Sequence, residues 1–405
     1  MYNIKLEEYV PEPKPVTGKY IVAAHYYPVW KKGEARLHNA FEDLAEEFPE
    51  RTPLCGYYDE EDPVHCDWEI KWAVEHGINC FIYCWYRNKD NMGKPVTVND
   101  LRGGHGIHEA LFHARYRNMI QFALMFESTE LWGAASDETD LTENLLPFWL
   151  EQYFSKENYL KIDNKPVLFV YDRFTEQLKN RLGGVAAQKK AFDRCREICK
   201  AHGFDGMIFA ACNRNMSPEG KKEYEENGYD FRFVYGLSYY GKSYPDYDYI
   251  REHHIQFNRT LLEQEPMRFV STVSCFYDTT PRLKSLPQMN YSTDGNWLYD
   301  PEDFRIVLRK NREFCDSLPA DSYGRKIIMI DNWNEWDEGH FVSPSHRFGF
   351  KFLQAIREEL TERDNLPDYR TPMDTGWGDF NRNWSRPDFG ELCEKRLRGE
   401  VERKF

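Results

Sequence analysis

Eight apolar segments, separated by stretches with helical periodicity, constrain the fold of this chain more than any other feature. The predicted strands are 20–27, 78–86, 118–126, 166–171, 205–212, 229–237, 267–275 and 326–333. Most are continuous apolar runs without alternation, which is typical of parallel strands covered on both faces. The amphipathic stretches are 67–76, 107–117, 188–202, 249–265, 302–317 and 348–361. Eight strands alternating with helices predict an α/β chain folded as a (β/α)8 barrel.

The alternative architecture is an open, doubly wound sheet. We disfavour it because no Gly-x-Gly-x-x-Gly turn follows the first predicted strand. We therefore expect one catalytic barrel domain over residues 20–362, preceded by an N-terminal extension at residues 1–19. Residues 363–405 are rich in turn formers, and we expect them to form a tail that packs on the barrel or on a partner.

Composition narrows the classes of partner and the compartment. A net charge of −14 repels phosphate backbones and anionic lipids, which argues against nucleic acid or membrane partners, and no apolar run reaches 18 residues. The ten cysteines are scattered without a Cys-x-x-Cys motif, and the first residues lack the pattern of a secretory leader. These features predict a cytoplasmic protein, either a monomer or a homo-oligomer.

Aromatic and polar residues follow the predicted strands at their C-terminal ends. Aromatic residues make up 16% of the chain, which suits clefts that stack on sugar rings. In a (β/α)8 barrel this end carries the active site, so these residues are candidates for binding a saccharide. The candidates are His25, Tyr26, Tyr27, Trp85, Tyr86, Glu127, Tyr235, Tyr239, Tyr277, Asp278, Arg282, Trp333, Asn334, Trp336 and His340.

Three alternatives to ligand binding stay open for this set. Side chains on a strand alternate between its two faces, so about half of the aromatic candidates should point into the barrel wall. His25 could equally be a structural hydrogen-bonding residue. Asp278 and Arg282 could bind a ligand, or they could pair with each other.

The segment after the eighth strand carries the candidate catalytic pair, Glu335 and Glu338, beside Trp333 and Trp336. Glycosidic bond cleavage uses two carboxyl groups, one to donate a proton and one to act as base or nucleophile. A helical turn would place residues three apart on one side, with Cβ atoms ~5–6 Å apart. That would suit the ~5–5.5 Å separation of retaining enzymes. An extended segment would point them to opposite faces, and the spacing alone decides neither.

Several motifs together resemble one known family. They are His25-Tyr26-Tyr27-Pro28, Ile78-Asn79-x-Phe81-x-Tyr83-x-Trp85-Tyr86 and Asn332-Trp333-Asn334-Glu335-Trp336-x-Glu338-Gly339. This pattern resembles the WbsX-like family, a relative of the endo-α-mannanases and endomannosidases of glycoside hydrolase family 99. The resemblance implies a barrel that acts on glycans, with Glu335 as base on the 2-hydroxyl of the substrate. It implies that Glu338 is the general acid and then the base for water, giving retention through an anhydro-sugar.

The sequence thus favours a retaining glycoside hydrolase of poly- or oligosaccharides over two other functions. One is a glycosyltransferase of surface polysaccharide synthesis, for which Asp246-Tyr247-Asp248 could bind a metal and a nucleotide sugar. The other is a glycan-binding protein without catalysis. We expect no cofactor and no metal site, because His108 and His113 are five residues apart and do not share a helix face.

Overall fold

Eight parallel strands form the centre of the molecule. The computed structural model describes residues 9–31, 48, 51–171, 177–213, 217–237, 247–285, 296–298 and 300–376. The barrel strands are β1 (Ile21–Tyr26), β2 (Cys80–Arg87), β3 (Gln121–Glu127), β4 (Lys165–Tyr171), β5 (Ile208–Cys212), β6 (Phe231–Phe233), β7 (Thr272–Ser274) and β8 (Ile327–Asp331). They pair in the order β6-β5-β4-β3-β2-β1-β8-β7, and a parallel bridge between Arg232 and Phe269 joins the two ends. The predicted (β/α)8 barrel is confirmed, and the alternative of an open, doubly wound sheet is wrong.

Helices surround the strands. They are α1 (Pro63–Glu75), α2 (Leu146–Trp149), α3 (Gln177–Leu182), α4 (Val185–Ala201), α5 (Pro218–Glu226), α6 (Tyr247–Gln264), α7 (Thr280–Ser285), α8 (Pro301–Ser317), α9 (Tyr323–Lys326) and α10 (Lys351–Leu360). Five of the six predicted helices correspond to α1, α4, α6, α8 and α10. The predicted helix at 107–117 is instead a π-helical turn, Gly106–Ala110, followed by the 3-10 turn Leu111–His113. The sequence pattern missed α5 and the helical stretch around α2, where π-helical turns flank four α-helical residues.

Helix α1 packs on the outside of the barrel wall, where its Glu69 accepts hydrogen bonds from Tyr26 of β1 and from Trp333 after β8. Asp62 caps it by accepting a hydrogen bond of 2.9 Å from the Val64 amide, and Pro63 fits the first helical position. All thirteen residues of α1 are buried. Part of the cover comes from the C-terminal segment, where the Arg370 carbonyl accepts a hydrogen bond of 3.1 Å from the Trp72 indole. Residues 377–405 of the predicted tail lie outside the described residues.

The two faces of the strands have different surroundings. The Tyr26 hydroxyl donates to Glu69 of α1 at 2.7 Å, so this side chain lies between the sheet and the helices. Its neighbour His25 packs on Phe233 of β6, which is not adjacent to β1 in the sheet, so His25 points into the barrel. The alternation of a strand thus divides the candidate residues between the two faces.

Two further observations concern the environment of the chain. All nine cysteines in the described ranges are buried, and no disulfide joins any two of them. Among the same residues, no helix combines the length and the hydropathy needed to cross a lipid bilayer.

Candidate active site

A tight turn brings Glu335 and Glu338 together after β8. Residues 336–339 form the turn, and an antiparallel bridge between Glu335 and His340 closes it. Gly339 has a φ of +70°, and a Cβ there would lie 3.0 Å from both the amide nitrogen and the carbonyl oxygen of Asp278. Only glycine fits this position without strain. The segment is therefore neither a helix nor an extended strand, and the turn places both glutamates at the C-terminal end of the barrel.

Three residues of the segment after β8 anchor the turn. The Trp333 indole donates to Glu69 at 2.8 Å, and the Asn334 amide donates to Glu60 at 2.9 Å. The Trp336 indole donates to the Tyr58 hydroxyl at 3.0 Å. All three anchored side chains are fully buried. They hold the loop on α1 and on the segment before it, so their role is structural.

The two carboxylates share one neighbour. The Nε2 atom of His340 lies 3.0 Å from Glu335 Oε2 and 2.9 Å from Glu338 Oε2. Glu335 is 3% exposed and Glu338 is 9% exposed. Glu338 therefore has more access to a ligand in the barrel mouth, while Glu335 lies deeper.

Arg282 supplies positive charge to the same cluster. Its Nε and Nη2 atoms donate to the two oxygens of Asp337, at 2.7 and 2.8 Å. Nη2 also donates to Glu335 at 3.1 Å, and Nη1 donates to Glu338. A bidentate guanidinium–carboxylate pair fixes the plane of the guanidinium. Arg282 can therefore hold both candidate catalytic carboxylates in one orientation.

Hydrogen bonds and charges favour the ionised form of Glu335. Burial alone would raise the pKa of its carboxyl group, but His340 and Arg282 outweigh burial and lower that pKa. The Tyr235 hydroxyl and the Asn332 amide, the latter at 3.0 Å, also donate to Glu335 Oε2. Glu335 therefore has the properties of a base rather than of a proton donor.

His340 is held in its charged form. Burial alone would lower the pKa of the imidazole, but the carboxylates of Asp331 and Glu335 raise it well above its usual range. Nδ1 lies 2.9 Å from Asp331 Oδ1, and the Ser274 hydroxyl donates to Oδ2 of that aspartate at 2.6 Å. Burial would likewise raise the pKa of Asp331, but His340 lowers it. The site therefore holds a buried Asp331–His340 pair directly beneath the two glutamates.

Several predicted saccharide-binding residues lie around this cluster. The ring of Tyr27 lies 5.4 Å from the Arg282 guanidinium, and the rings of Tyr235 and Tyr277 lie 5.7 and 5.5 Å from the His340 ring. Tyr86, next to the last residue of β2, and Glu127, the last residue of β3, lie on the side of the buried Cys84. Burial, together with Glu335 and Glu127, raises the pKa of this thiol. These residues share the inside of the barrel mouth with the two glutamates.

Other predicted residues are not brought to the cluster. Tyr26 lies on the helix side of the wall, as does Trp85, whose indole donates to the Tyr153 hydroxyl at 3.1 Å. Trp333, Asn334 and Trp336 anchor the loop instead of facing a ligand. Tyr239 lies outside the described residues.

His25, Asp278 and His340 also differ from the predicted picture. His25 is fully buried inside the barrel, and neither of its ring nitrogens has a hydrogen-bond partner among the described residues. Asp278 pairs with Arg51 rather than with Arg282, so the predicted alternative of an Asp278–Arg282 pair is wrong. His340 is 0% exposed and contacts carboxylates, so it lies beneath the surface that a saccharide would touch.

The sequence did not reveal the supporting residues. They are Arg51, Glu60, Glu69, Asp331, Asn332 and Asp337, and all are buried. The acidic run 59–62 has the composition of a solvated loop, yet each of its residues is at most 9% exposed. No local pattern could identify Arg51, Glu60 and Glu69, because their partners Asp278, Asn334 and Trp333 lie far away along the chain.

The donor atoms at this site also meet one geometric criterion for a metal. One atom each of Glu335, Glu338 and His340 lies within 4.8 Å of the others. The same groups already bond to one another and to Arg282, whose guanidinium would repel a divalent cation. The arrangement therefore suits proton transfer better than metal binding.

A family model identifies the family of this chain, and solved structures share its fold. The model of the family described as Glycosyltransferase WbsX matches residues 46–356. A curated relative from Xanthomonas campestris pv. campestris strain B100, described as Uncharacterized protein WxcX, is 21% identical over 90% of this chain. The chain spans about half the length of that relative, 52%.

Solved structures share the barrel. An endo-α-mannosidase of family 99 from Bacteroides thetaiotaomicron has a TM-score of 0.54 and 15% identity, over 98% of this chain and 100% of that one. A structure described as a glycoside hydrolase-like protein has a TM-score of 0.60 and 14% identity, over 87% of this chain and 98% of that one. At these identities the likeness establishes the fold alone.

Proposed function

The chain belongs to the WbsX glycosyltransferase family, and from this membership and the geometry of its site we propose that it is a retaining glycoside hydrolase. Its catalytic residues are Glu335 and Glu338, and its substrate is a poly- or oligosaccharide bound in the barrel mouth. One observation carries the proposal: an oxygen of each carboxylate lies within 4.8 Å of the other at the C-terminal end of a (β/α)8 barrel. This short separation leaves no room for the water that an inverting enzyme holds between carboxyl groups ~6.5–9.5 Å apart, and it allows both groups to act on one glycosidic bond.

The environments of the two carboxylates divide their roles. Glu335 is ionised and deep, so it is the base that removes the proton from the 2-hydroxyl of the substrate. The freed oxygen attacks C1, forming an anhydro-sugar, while Glu338 gives a proton to the departing glycosidic oxygen. Water then attacks C1, Glu338 takes a proton from it, and Glu335 returns its proton to the 2-oxygen. Two inversions give net retention, and both residues regain their starting protonation.

The surrounding side chains fit a sugar. Tyr27 and Tyr86 are half-buried at the mouth and offer ring faces for C–H stacking, while Glu127 and Tyr277 offer polar groups for hydroxyls. Arg282 and His340 face four carboxyl groups, those of Asp331, Glu335, Asp337 and Glu338, so negative charge exceeds positive charge whether the proton lies on His340 or on Glu338. The excess of negative charge suits the cationic character that develops at C1 in an oxocarbenium-like transition state.

A second candidate is glycosyl transfer, which the description of the family favours. The same two carboxylates would serve if a sugar hydroxyl replaced water in the second step. A transferase that uses a nucleotide sugar would also need a site for a diphosphate. Asp248, from the acidic motif proposed for that role, pairs with Arg251 at 2.6 Å, and Asp246 lies outside the described residues.

Incubation with defined glycans tests the proposal. The purified chain is mixed with mannans, rhamnose-containing pectins and capsular glycans, and the anomeric configuration of the first product is followed by NMR. Hydrolysis with retention supports the proposal, and an inverted product contradicts the assigned mechanism. Turnover of a nucleotide sugar without glycan hydrolysis would favour the transferase, and binding without any turnover would favour a glycan-binding protein.

A further inference from the structure

His340 joins the two candidate catalytic carboxylates without access to the barrel mouth. It is 0% exposed, with Nδ1 on Asp331 and Nε2 between Glu335 and Glu338, at distances of 2.9 to 3.0 Å. A residue so enclosed cannot contact a sugar. Its position instead gives it a direct path for a proton to either glutamate.

We propose that His340 is a positioning residue that stores the proton used by Glu338 and delivers it when substrate binds. This inference rests on the proposed function, because it assigns Glu338 the role of general acid. It adds a third member to the acid–base machinery.

Asp331 determines which nitrogen of His340 exchanges its proton. Both oxygens of Asp331 are engaged, one by Nδ1 of His340 and the other by the Ser274 hydroxyl. The aspartate therefore keeps Nδ1 protonated and makes the imidazole more basic. The exchangeable proton is the one on Nε2, which faces the two glutamates.

The hydrogen bonds of the two glutamates determine which of them receives the proton. Besides His340, Glu335 accepts from Tyr235, Asn332 and Arg282, and each of these bonds favours its ionised form. Besides His340, the carboxylate of Glu338 accepts only from Arg282 among the described residues. The proton therefore passes to Glu338, over the 2.9 Å between Nε2 and Oε2.

The transfer balances without any other reactant. In the resting site the proton is on Nε2 of His340, which is cationic. Substrate displaces water from the mouth and lowers the local dielectric, which favours the neutral pair of Glu338 acid and His340 imidazole over separated charges. After turnover Glu338 again holds a proton, taken from water, and product release returns that proton to Nε2.

Other charged or titratable groups also face His340. They come from the strands and loops packed against it, and they are His25, Tyr235, Cys275 and Tyr277. Burial lowers the pKa of His25 to about 4, so this residue is neutral near pH 7 and cannot replace His340 as the proton store. The group expected to titrate with the general acid is therefore His340.

The test compares two leaving groups. In His340→Gln the side chain keeps a hydrogen-bond donor but cannot exchange a proton. The glycan that the screen identifies needs protonation of its leaving oxygen, whereas the dinitrophenyl glycoside of the same sugar does not. We expect kcat/KM to fall by about 10²-fold or more for the glycan, and by less than about tenfold for the dinitrophenyl glycoside. The matched control is His202→Gln, which changes an exposed histidine that follows α4.

Equal losses on both substrates, or no loss on either, would overturn the role of His340. A second measurement uses the unmodified protein, so it does not depend on folding of the variant. NMR of the imidazole nitrogens should show Nδ1 protonated throughout, and Nε2 titrating together with the alkaline limb of kcat/KM. A mismatch of these two transitions also overturns the inference. Full activity in Glu335→Gln or Glu338→Gln would instead show that the proposed function itself is wrong.

Discussion

Arg282 donates two parallel hydrogen bonds to the carboxylate of Asp337, of 2.7 Å from Nε and 2.8 Å from Nη2. Asp337 is fully buried, so removal of the guanidinium would leave its carboxylate without a cationic partner. We expect Arg282→Met to lower the free energy of unfolding by about 3–5 kcal/mol, measured by urea denaturation. The control Lys200→Met removes one half of an exposed pair with Glu197, and it should cost less than about 0.5 kcal/mol. A loss below about 1 kcal/mol in Arg282→Met would contradict the structural role of this pair.

The two glutamates should each be indispensable. Glu335→Gln and Glu338→Gln keep the size of the side chain but remove its ability to exchange a proton. We expect each to lower kcat by about 10²–10⁴-fold, measured on the glycan from the screen. Circular dichroism and the thermal midpoint should show that both variants fold. Glu197→Gln, on the exposed face of α4, serves as the control for loss of one carboxylate. Near-normal activity in either site variant would refute the assignment.

The barrel could be predicted from the sequence, because parallel strands covered on both faces appear as continuous apolar runs. The sequence does not predict which face of the sheet each side chain of a strand occupies. The sequence predicts Tyr26 and Trp85 at the rim, but a shift of one residue along a strand moves a side chain from the barrel to the helices. The structure places both on the helix side.

The catalytic turn illustrates a different limit. The spacing of Glu335 and Glu338 and their place after β8 identify the pair, but a spacing of three fits several backbone geometries. The contact that decides the geometry is the approach of Gly339 to the backbone of Asp278, which is 61 positions away along the chain. The roles of Glu60 and Glu69 also depend on partners that are distant along the chain. In the sequence alone, both residues therefore resemble ordinary surface carboxylates.

Gly339 provides a test of the turn. We expect Gly339→Ala to lose most activity, since the new methyl group would press on the Asp278 backbone, and the turn that positions Glu338 would shift. Gly203→Ala is the matched control, because Gly203 also has a positive φ, of +90°, but a Cβ added there would meet nothing within 4 Å. That variant should cost about 1–2 kcal/mol of stability from backbone strain alone and keep full activity. Equal activity in both alanine variants would show that the close approach is unimportant for the site.

His25 should make the folded state sensitive to acid. Burial lowers the pKa of its imidazole to about 4, whereas in the unfolded chain it is near its usual ~6.5. Between these two values the unfolded state binds one more proton, so the stability contributed by this residue is complete above about pH 6.5 and is lost as the pH falls toward 4. We expect His25→Leu to reduce the fall in unfolding free energy between pH 7 and pH 4 by about 3 kcal/mol, measured by urea denaturation at each pH. The control His202→Gln removes an exposed histidine and should leave the fall unchanged. Parallel pH profiles for wild type and His25→Leu would mean that His25 is not held neutral inside the barrel.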